Sequence, residues 1–406
     1  VSLVSGPVLR LLRERAGLGL RAVARRTTGE MSLSDGHLSR VERGQRPVTP
    51  AIVAAYERAL RLRITTGTVT DALIEVQADR ADRRAFNTTL AGILLGNPPE
   101  HEWEDALLRA AEEALLPPGQ VGEVDIAHVA QAAAMVRRLD LRFGGILAGH
   151  IGRRLLRWAL PLRTASMTDH IRVRLHTALA TLGWASAWAA FDAYHHTTAR
   201  DLWTLALESA VAADQPDLCA HILADVAAWH NHQHHPTDSL HLIRLAHGDE
   251  RTSTPLRAIL HGIHAHTYAT LGEADGCTEQ ITLAEDTCAT VHPDAVPAWL
   301  DGWQPGHTRA VGAHAATTLA LTTNDDHHLA DATARLTRAI DELATTARTR
   351  ALALTQTRLA ALHLHTGNPD HAAHWLQHAR THATDLRSAR LDHALTTLHT
   401  RLEASP

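Results

Sequence analysis

Between residues 199 and 379 the chain repeats one spacing: a small residue, a large apolar residue four positions on, and an alanine seven positions on. The instances are Ala199/Trp203/Ala206, Ser239/Ile243/Ala246, Cys277/Ile281/Ala284, Ala332/Leu336/Ala339 and Ala372/Leu376/Ala379, and their last alanines lie 40, 38, 55 and 40 residues apart. Positions i, i+4 and i+7 share one face of an α-helix, and small side chains there let a neighbouring helix approach closely. Helical breaks punctuate the same region at Pro216, Pro236, Pro255, Gly272 and Gly367-Asn368-Pro369, and no useful strand alternation occurs. A period near 40 with two helices per unit predicts an all-α solenoid of helical hairpins. The last unit opens on Gly367-Asn368-Pro369-Asp370-His371-Ala372.

The 55-residue interval carries about 15 extra residues, near Val291 to His307, with Trp299, Trp303 and three prolines. So apolar an insertion is a candidate lid or pocket wall; the alternative is a loop that packs its tryptophans on the solenoid. A second aromatic group runs from Trp184 and Trp188 through Phe191, Asp192 and Tyr194 to Trp203 and Trp229, in a chain with only 4% aromatic residues. Core packing explains such a group by default, but a concave surface with Trp, Tyr and a few polar groups also suits a ligand. The candidate ligand residues are therefore Trp184, Trp188, Asp192, Tyr194, Trp229, Trp299 and Trp303. Arg142-Phe143-Gly144-Gly145 interrupts a helical pattern and reads as a helix junction near that site.

The first 63 residues differ in character. They hold 12 Arg against 5 acids, a charge of +7, whereas the remainder carries −12. A basic head on an acidic body suits a head that meets phosphate. Pro7 and Gly17 bracket one short helix, Leu20 to Thr27 forms a second, and residues 28–33 make a turn. Ser34 caps a third helix, which buries Leu38 and Val41 and stops at Gly44. Thr49 and Pro50 start a fourth that buries Ile52, Val53, Tyr56 and Leu60.

The frame Leu12-Arg13-x-x-Ala16-Gly17, Leu20-x-x-Val23-Ala24 and Leu38-Ser39-Arg40-Val41-Glu42-Arg43-Gly44-x-Arg46-Pro47 resembles the Xre/Cro phage-repressor family of helix-turn-helix domains. The match spans about 55 residues, with a longer turn before the third helix than is usual. The resemblance implies that the third helix enters the DNA major groove and that Ser34, Asp35, Gly36, His37, Ser39 and Arg40 reach base edges. Arg40 suits guanine O6 and N7, and Asp35 suits cytosine N4. Arg21, Arg43 and Arg46 are the expected phosphate contacts. Glu42 is expected to be structural, pairing with an arginine such as Arg13.

Three domains are expected: a helix-turn-helix domain over 1–65, a linker or dimerisation helix over 66–99, and a tetratricopeptide-like sensing and oligomerisation body over 100–406. The run Asp79-Arg80-Ala81-Asp82-Arg83-Arg84 within the linker reads either as a solvated face or as a subunit contact holding two heads one DNA turn apart. Asn97-Pro98-Pro99 ends it. The whole resembles peptide-pheromone (quorum) sensors and other helix-turn-helix regulators with tetratricopeptide-like bodies. That implies a transcriptional regulator, binding double-stranded DNA as a homodimer and sensing a small-molecule or peptide effector. The alternative is a body that docks another protein without a small ligand. No enzyme is expected, since no phosphate loop, GxSxG or paired catalytic carboxylates occur. Histidines are abundant, 31 in all, and cluster at His230, His232, His234 and His235, yet no metal-ligand spacing accompanies them, so neither metal nor cofactor is expected. Without a leader or a long apolar run, and with Cys219, Cys277 and Cys288 unpatterned, a cytoplasmic location with no membrane partner is expected.

Overall fold

A computed structural model describes residues 6–16, 18–25, 34–43, 45–61, 64, 82–95, 119–300 and 303–404. The chain forms two compact units, Val1–Phe86 and Asn87–Pro406. All regular structure among the described residues is helical, save for an isolated bridge between Gln120 and Ser166.

In the first unit α1 (Gly6–Arg15), α2 (Leu20–Ala24), α3 (Asp35–Glu42) and α4 (Pro50–Leu60) surround a small core. Leu9, Val23, Leu38, Val41, Ile52 and Tyr56 are its buried members. The Ser34 hydroxyl accepts from the His37 backbone N–H at 3.2 Å, and Thr49 does the same for Ile52 at 3.4 Å with Pro50 opening the helix. Each hydroxyl thus satisfies an N–H that has no partner within its helix. α2 ends at Ala24, three residues short of the expected Thr27. The expected turn over 28–33 and the Gly44 stop lie outside the described residues. One buried polar cluster ties the unit together. The Arg13 guanidinium donates to both Glu42 carboxylate oxygens, at 2.6 and 2.7 Å, and the Tyr56 hydroxyl donates to Glu42 at 2.5 Å. The pairing of Arg13 with Glu42 expected from the sequence is thereby present.

A helical segment covers 82–94, with the division between the units falling within it, and 65–81 and 96–118 lie outside the described residues. The body continues with α5 (Glu123–Phe143) and α6 (Gly145–Ala159), then α7 (Asp169–Asp192) and α8 (His196–Ala212). Next come α9 (Pro216–His232), α10 (Pro236–His247), α11 (Thr254–Leu271) and α12 (Ala274–Ala289). The array ends with α13 (Pro305–Thr323), α14 (Asp326–Leu343), α15 (Thr349–His365), α16 (Pro369–Ala383) and α17 (Ala389–Glu403). From α7 to α16 each odd helix packs antiparallel-hairpin fashion on the even helix that follows it, and successive odd helices pack on one another.

The sequence repeat now has a structural meaning. All five triads sit on the even helices, α8 to α16, and each member is at most 3% exposed. They are the buried ridge against which the partner helices rest. A second periodicity marks the turn inside each hairpin. Tyr194, His234, Gly272, Asn324 and Gly367 all have positive φ, between 55° and 80°. The left-handed residue ends one helix and aims the chain back along it.

The array curls until its end meets its beginning. α17 packs on α7, and α15 packs on α5. The Arg387 N–H donates to the Phe143 carbonyl at 2.6 Å, and the Arg387 carbonyl accepts from Ile146 at 3.2 Å. The junction is Gly144, at φ +86°, where a Cβ would come within 2.5 Å of the Arg387 carbonyl oxygen. The interruption at Arg142 to Gly145 is thus the place where the ring closes. A buried ion network reinforces it: Arg350 grips Asp140 at 2.6 and 2.8 Å and Asp192 at 2.9 Å. Asp192 also accepts from the Gly145 N–H and the Ser388 hydroxyl, both at 2.9 Å.

Candidate functional site

The expected DNA-reading residues fall on one face of the first unit. Ser34, Gly36, Arg40, Arg43, Arg46 and Arg21 are exposed, and Asp35, His37 and Ser39 are half-buried, while Leu38 and Val41 point the opposite way into the core. Alternation of this kind follows from α3 having only one apolar stripe. At Gly36 a Cβ would find no atom within 4 Å, so the glycine is not demanded by packing within the unit. The Arg40 and Arg43 Nε atoms donate to the carbonyls of Gly36 and Ser39, at 3.2 and 3.3 Å, folding both guanidinium stems along the helix. Arg21 reaches across from α2 to Asp35 at 3.0 Å. An exposed pair of this sort contributes little stability, so exchanging it for contacts to another molecule costs little.

In the body the odd helices face inward around a cavity of about 710 Å³. Of the ligand residues expected from sequence, Trp184, Trp188, Tyr194 and Trp303 line it. Trp299 stands just behind, its ring 5.6 Å from both Trp184 and His221, and its carbonyl accepts from Arg137 at 2.6 Å. With Leu300 and His307 on the lining, the stretch 291–307 forms part of the cavity wall. Two other expected residues lie elsewhere. Asp192 is fully buried in the ring-closing network, where burial opposes its charge but Arg350 and Arg390 outweigh that and hold its carboxyl below the usual range. Trp229 packs in the helix layer against Trp203 and His230, with its indole N–H donating to His196 at 3.2 Å. Spacing alone could not separate them, since only the packing of the helices decides which face of each meets the cavity and which meets a neighbouring helix.

The lining carries Arg137, His221, Asp225 and His307. The Trp184 indole N–H donates to Asp225 at 2.7 Å, and Arg137 lies over the Trp184 ring at 4.8 Å. Burial lifts the Asp225 carboxyl to about 7 against the opposing effect of that hydrogen bond, and burial drops His221 to about 3. The lining also carries His232, His266, His314, Arg358, Arg390 and His393. The His266 and His314 rings are 4.0 Å apart, and burial, then Arg358, depresses both, His266 to about 3. These residues escaped the sequence reading because a lone His or Arg in an Ala- and Leu-rich helix has no local signature. What singles them out is that all sit at inward positions of the odd helices, α5, α9, α11, α13, α15 and α17.

The histidine group after Trp229 disperses in the fold. His230 bonds Asn87 at 3.0 Å, while His232 and His234 face the cavity. Among the described residues no three His, Cys, Asp or Glu side chains stand where they could hold a metal ion together, and no helix is long and apolar enough to cross a membrane.

Comparison with known proteins bears on the first unit. Residues 6–72 match a family model described as a helix-turn-helix domain. The head is a helix-turn-helix domain, and DNA binding by a regulator is what that implies. No curated protein and no solved structure matches the chain.

Proposed function

We propose that this chain is a transcriptional regulator of the Xre/Cro type, acting as a homodimer on a two-fold operator and governed by a small effector held in its tetratricopeptide-like body. In this reading α3 enters the major groove. Ser34, Asp35, Gly36, His37, Ser39 and Arg40 face the base edges, and Arg21, Arg43 and Arg46 hold phosphates. The pairing of Arg21 with Asp35 is the free state; on DNA the two separate to phosphate and base. What supports this assignment is the exposed face of α3 lying opposite a fully packed core, in the more basic of the two units.

For the body, the observation that carries the proposal is the cavity. Its volume lies within the ~300–1,000 Å³ usual for small-ligand sites, and its lining is mixed aromatic and polar. A body that served only as a docking scaffold would need an open surface and no such interior. The body is therefore read as a receptor and not a scaffold.

Operator fragments selected from genomic DNA with the full chain provide the test. Arg40→Ala is expected to weaken binding by about 10-fold or more and to relax preference at one base pair, the outcome for a lost bidentate contact worth about 1–3 kcal/mol. Arg43→Ala is expected to weaken all sequences alike and to reduce the salt slope by about one. Unaltered base preference in Arg40→Ala would remove that residue from the reading helix. Thermal-shift screening of metabolites, followed by gel shifts with each hit, tests the effector arm. A hit that stabilises the body without altering operator affinity would separate binding from regulation.

A further inference from the structure

Arg358 is an anomaly of the ring interior. It lies on the inward side of α15 and lines the cavity. Burial there pulls its guanidinium down to about 9, and the next influence on it is a second cation, Arg390, which pulls the same way. Its guanidinium has no hydrogen-bond or ion-pair partner among the described residues, whereas the other buried arginines around it do. Arg350 is held by Asp140 and Asp192, and Arg390 lies 3.3 Å from Asp192 with its guanidinium over Trp188 and Phe191. Next to Arg358, the ring nitrogens of His266 and His314 also lack protein partners among the described residues, though their rings touch. Arg358 is half-buried, and a cation held in a cavity wall without a counter-charge is unfavourable for a folded protein. One guanidinium and two imidazoles able to donate, carried on three different helices and bordering one cavity, suit recognition of an anion.

Resting on the reading of the body as a receptor, we infer that the cavity takes a small organic anion, its acidic group bound by Arg358 with His266 and His314 and its apolar part lying against Trp184, Trp188 and Leu300. The chemistry fits a carboxylate, sulfonate or phosphate on an aromatic or aliphatic frame. Arg390, with its cation already satisfied by Asp192 and two aromatic faces, contributes field but not the anchoring fork.

Two dyes of nearly the same shape test this with the full-length protein: anilinonaphthalene sulfonate, an anion, and phenylnaphthylamine, its uncharged counterpart. Tryptophan-to-dye energy transfer reports binding near Trp184 and Trp188. The expected result is that wild type binds the anion at least 10-fold more tightly than the neutral dye. Arg358→Met is expected to abolish that preference while leaving neutral-dye affinity within about 2-fold, and Arg358→Lys to restore part of it. Arg338→Met, which removes an exposed arginine on α14, is expected to keep the full preference. A second readout guards against misfolding: in the free protein Arg358→Met is expected to keep or raise the unfolding midpoint, since it removes an uncompensated charge from the cavity wall. Equal affinity for the two dyes in wild type, or an anion preference that survives Arg358→Met, overturns the anion site while leaving the receptor reading intact. A lowered midpoint in Arg358→Met overturns it as well, by making the arginine structural. Failure of both dyes to bind overturns the receptor reading too.

Discussion

At the scale of single residues, the two units show how much depends on what surrounds a side chain. Gly36 sits in the first turn of α3, where Gly is a poor helix former and where nothing packs against it. Gly36→Ala is therefore expected to stabilise the free protein by about 0.5–1 kcal/mol, measured by chemical denaturation. If the DNA backbone or a base edge approaches that position, the same substitution weakens operator binding; a variant both more stable and equally tight would place Gly36 outside the contact. The cavity histidines make the opposite point, that burial, reinforced by neighbouring cations, sets a titration. His221, His232, His266 and His307 all fall to about 3, with burial as the first cause. Their folded values lie below the unfolded 6.5, so their contribution to stability is complete above pH 6.5 and is lost as pH falls toward 3. Each costs the folded state about 1.4 kcal/mol per pH unit across that window. Asp225 acts in the reverse sense: raised to about 7, its contribution is present below its unfolded value and is lost as pH rises through 7. Four groups outweigh one, and the denaturant midpoint is expected to drop clearly between pH 7 and pH 5.5. A flat profile over that range would show that the cavity admits enough water to let the histidines ionise.

At the scale of elements, the sequence displayed the hairpin units because their constraint is local. Ala199/Trp203/Ala206 and its four relatives are readable since one face of one helix must pack on its neighbour at every repeat. The same holds for Ser34 and Thr49, whose capping depends on residues three positions away. The left-handed turn residues were less visible, because the series Tyr194, His234, Gly272, Asn324, Gly367 shares a backbone conformation and not a side chain. Where Gly272 occupies the turn, an added Cβ meets nothing nearer than a Thr322 methyl at 3.6 Å. The cost of Gly272→Ala is then conformational alone, about 1–2 kcal/mol, and is expected to appear as a lower unfolding midpoint with the hairpin otherwise intact. Tyr194 accepts that cost in place, with its ring set between His196, His232 and His393 at 5.4 to 5.8 Å on the cavity side. Tyr194 and His234 both line the cavity, and strain retained at these two turns, where the other three use Gly or Asn, is consistent with a role for their rings in the site.

At the scale of the whole body, closure of the ring was the feature that sequence could not reveal. It depends on Arg350 meeting Asp140 across 210 residues and on Arg387 meeting Phe143, pairings that leave no periodic trace. Two substitutions attack it from different sides. Arg350→Met removes the cation from between Asp140 and Asp192, leaving two buried carboxylates with Arg390 alone nearby, and such losses cost about 3–5 kcal/mol. Gly144→Ala leaves every ion pair in place but strains a backbone at φ +86° and drives a methyl group against Arg387. Because that contact is to backbone and not to a flexible side-chain tip, it is expected to cost clearly more than Gly272→Ala. If closure is one event that either substitution undoes, the double variant loses less than the two single losses combined, since the second has little left to break. Denaturant titrations of the two single variants and the double measure that coupling. Fully additive losses would mean that the ion network and the glycine junction hold the ends together independently, and that the cavity survives the failure of either one.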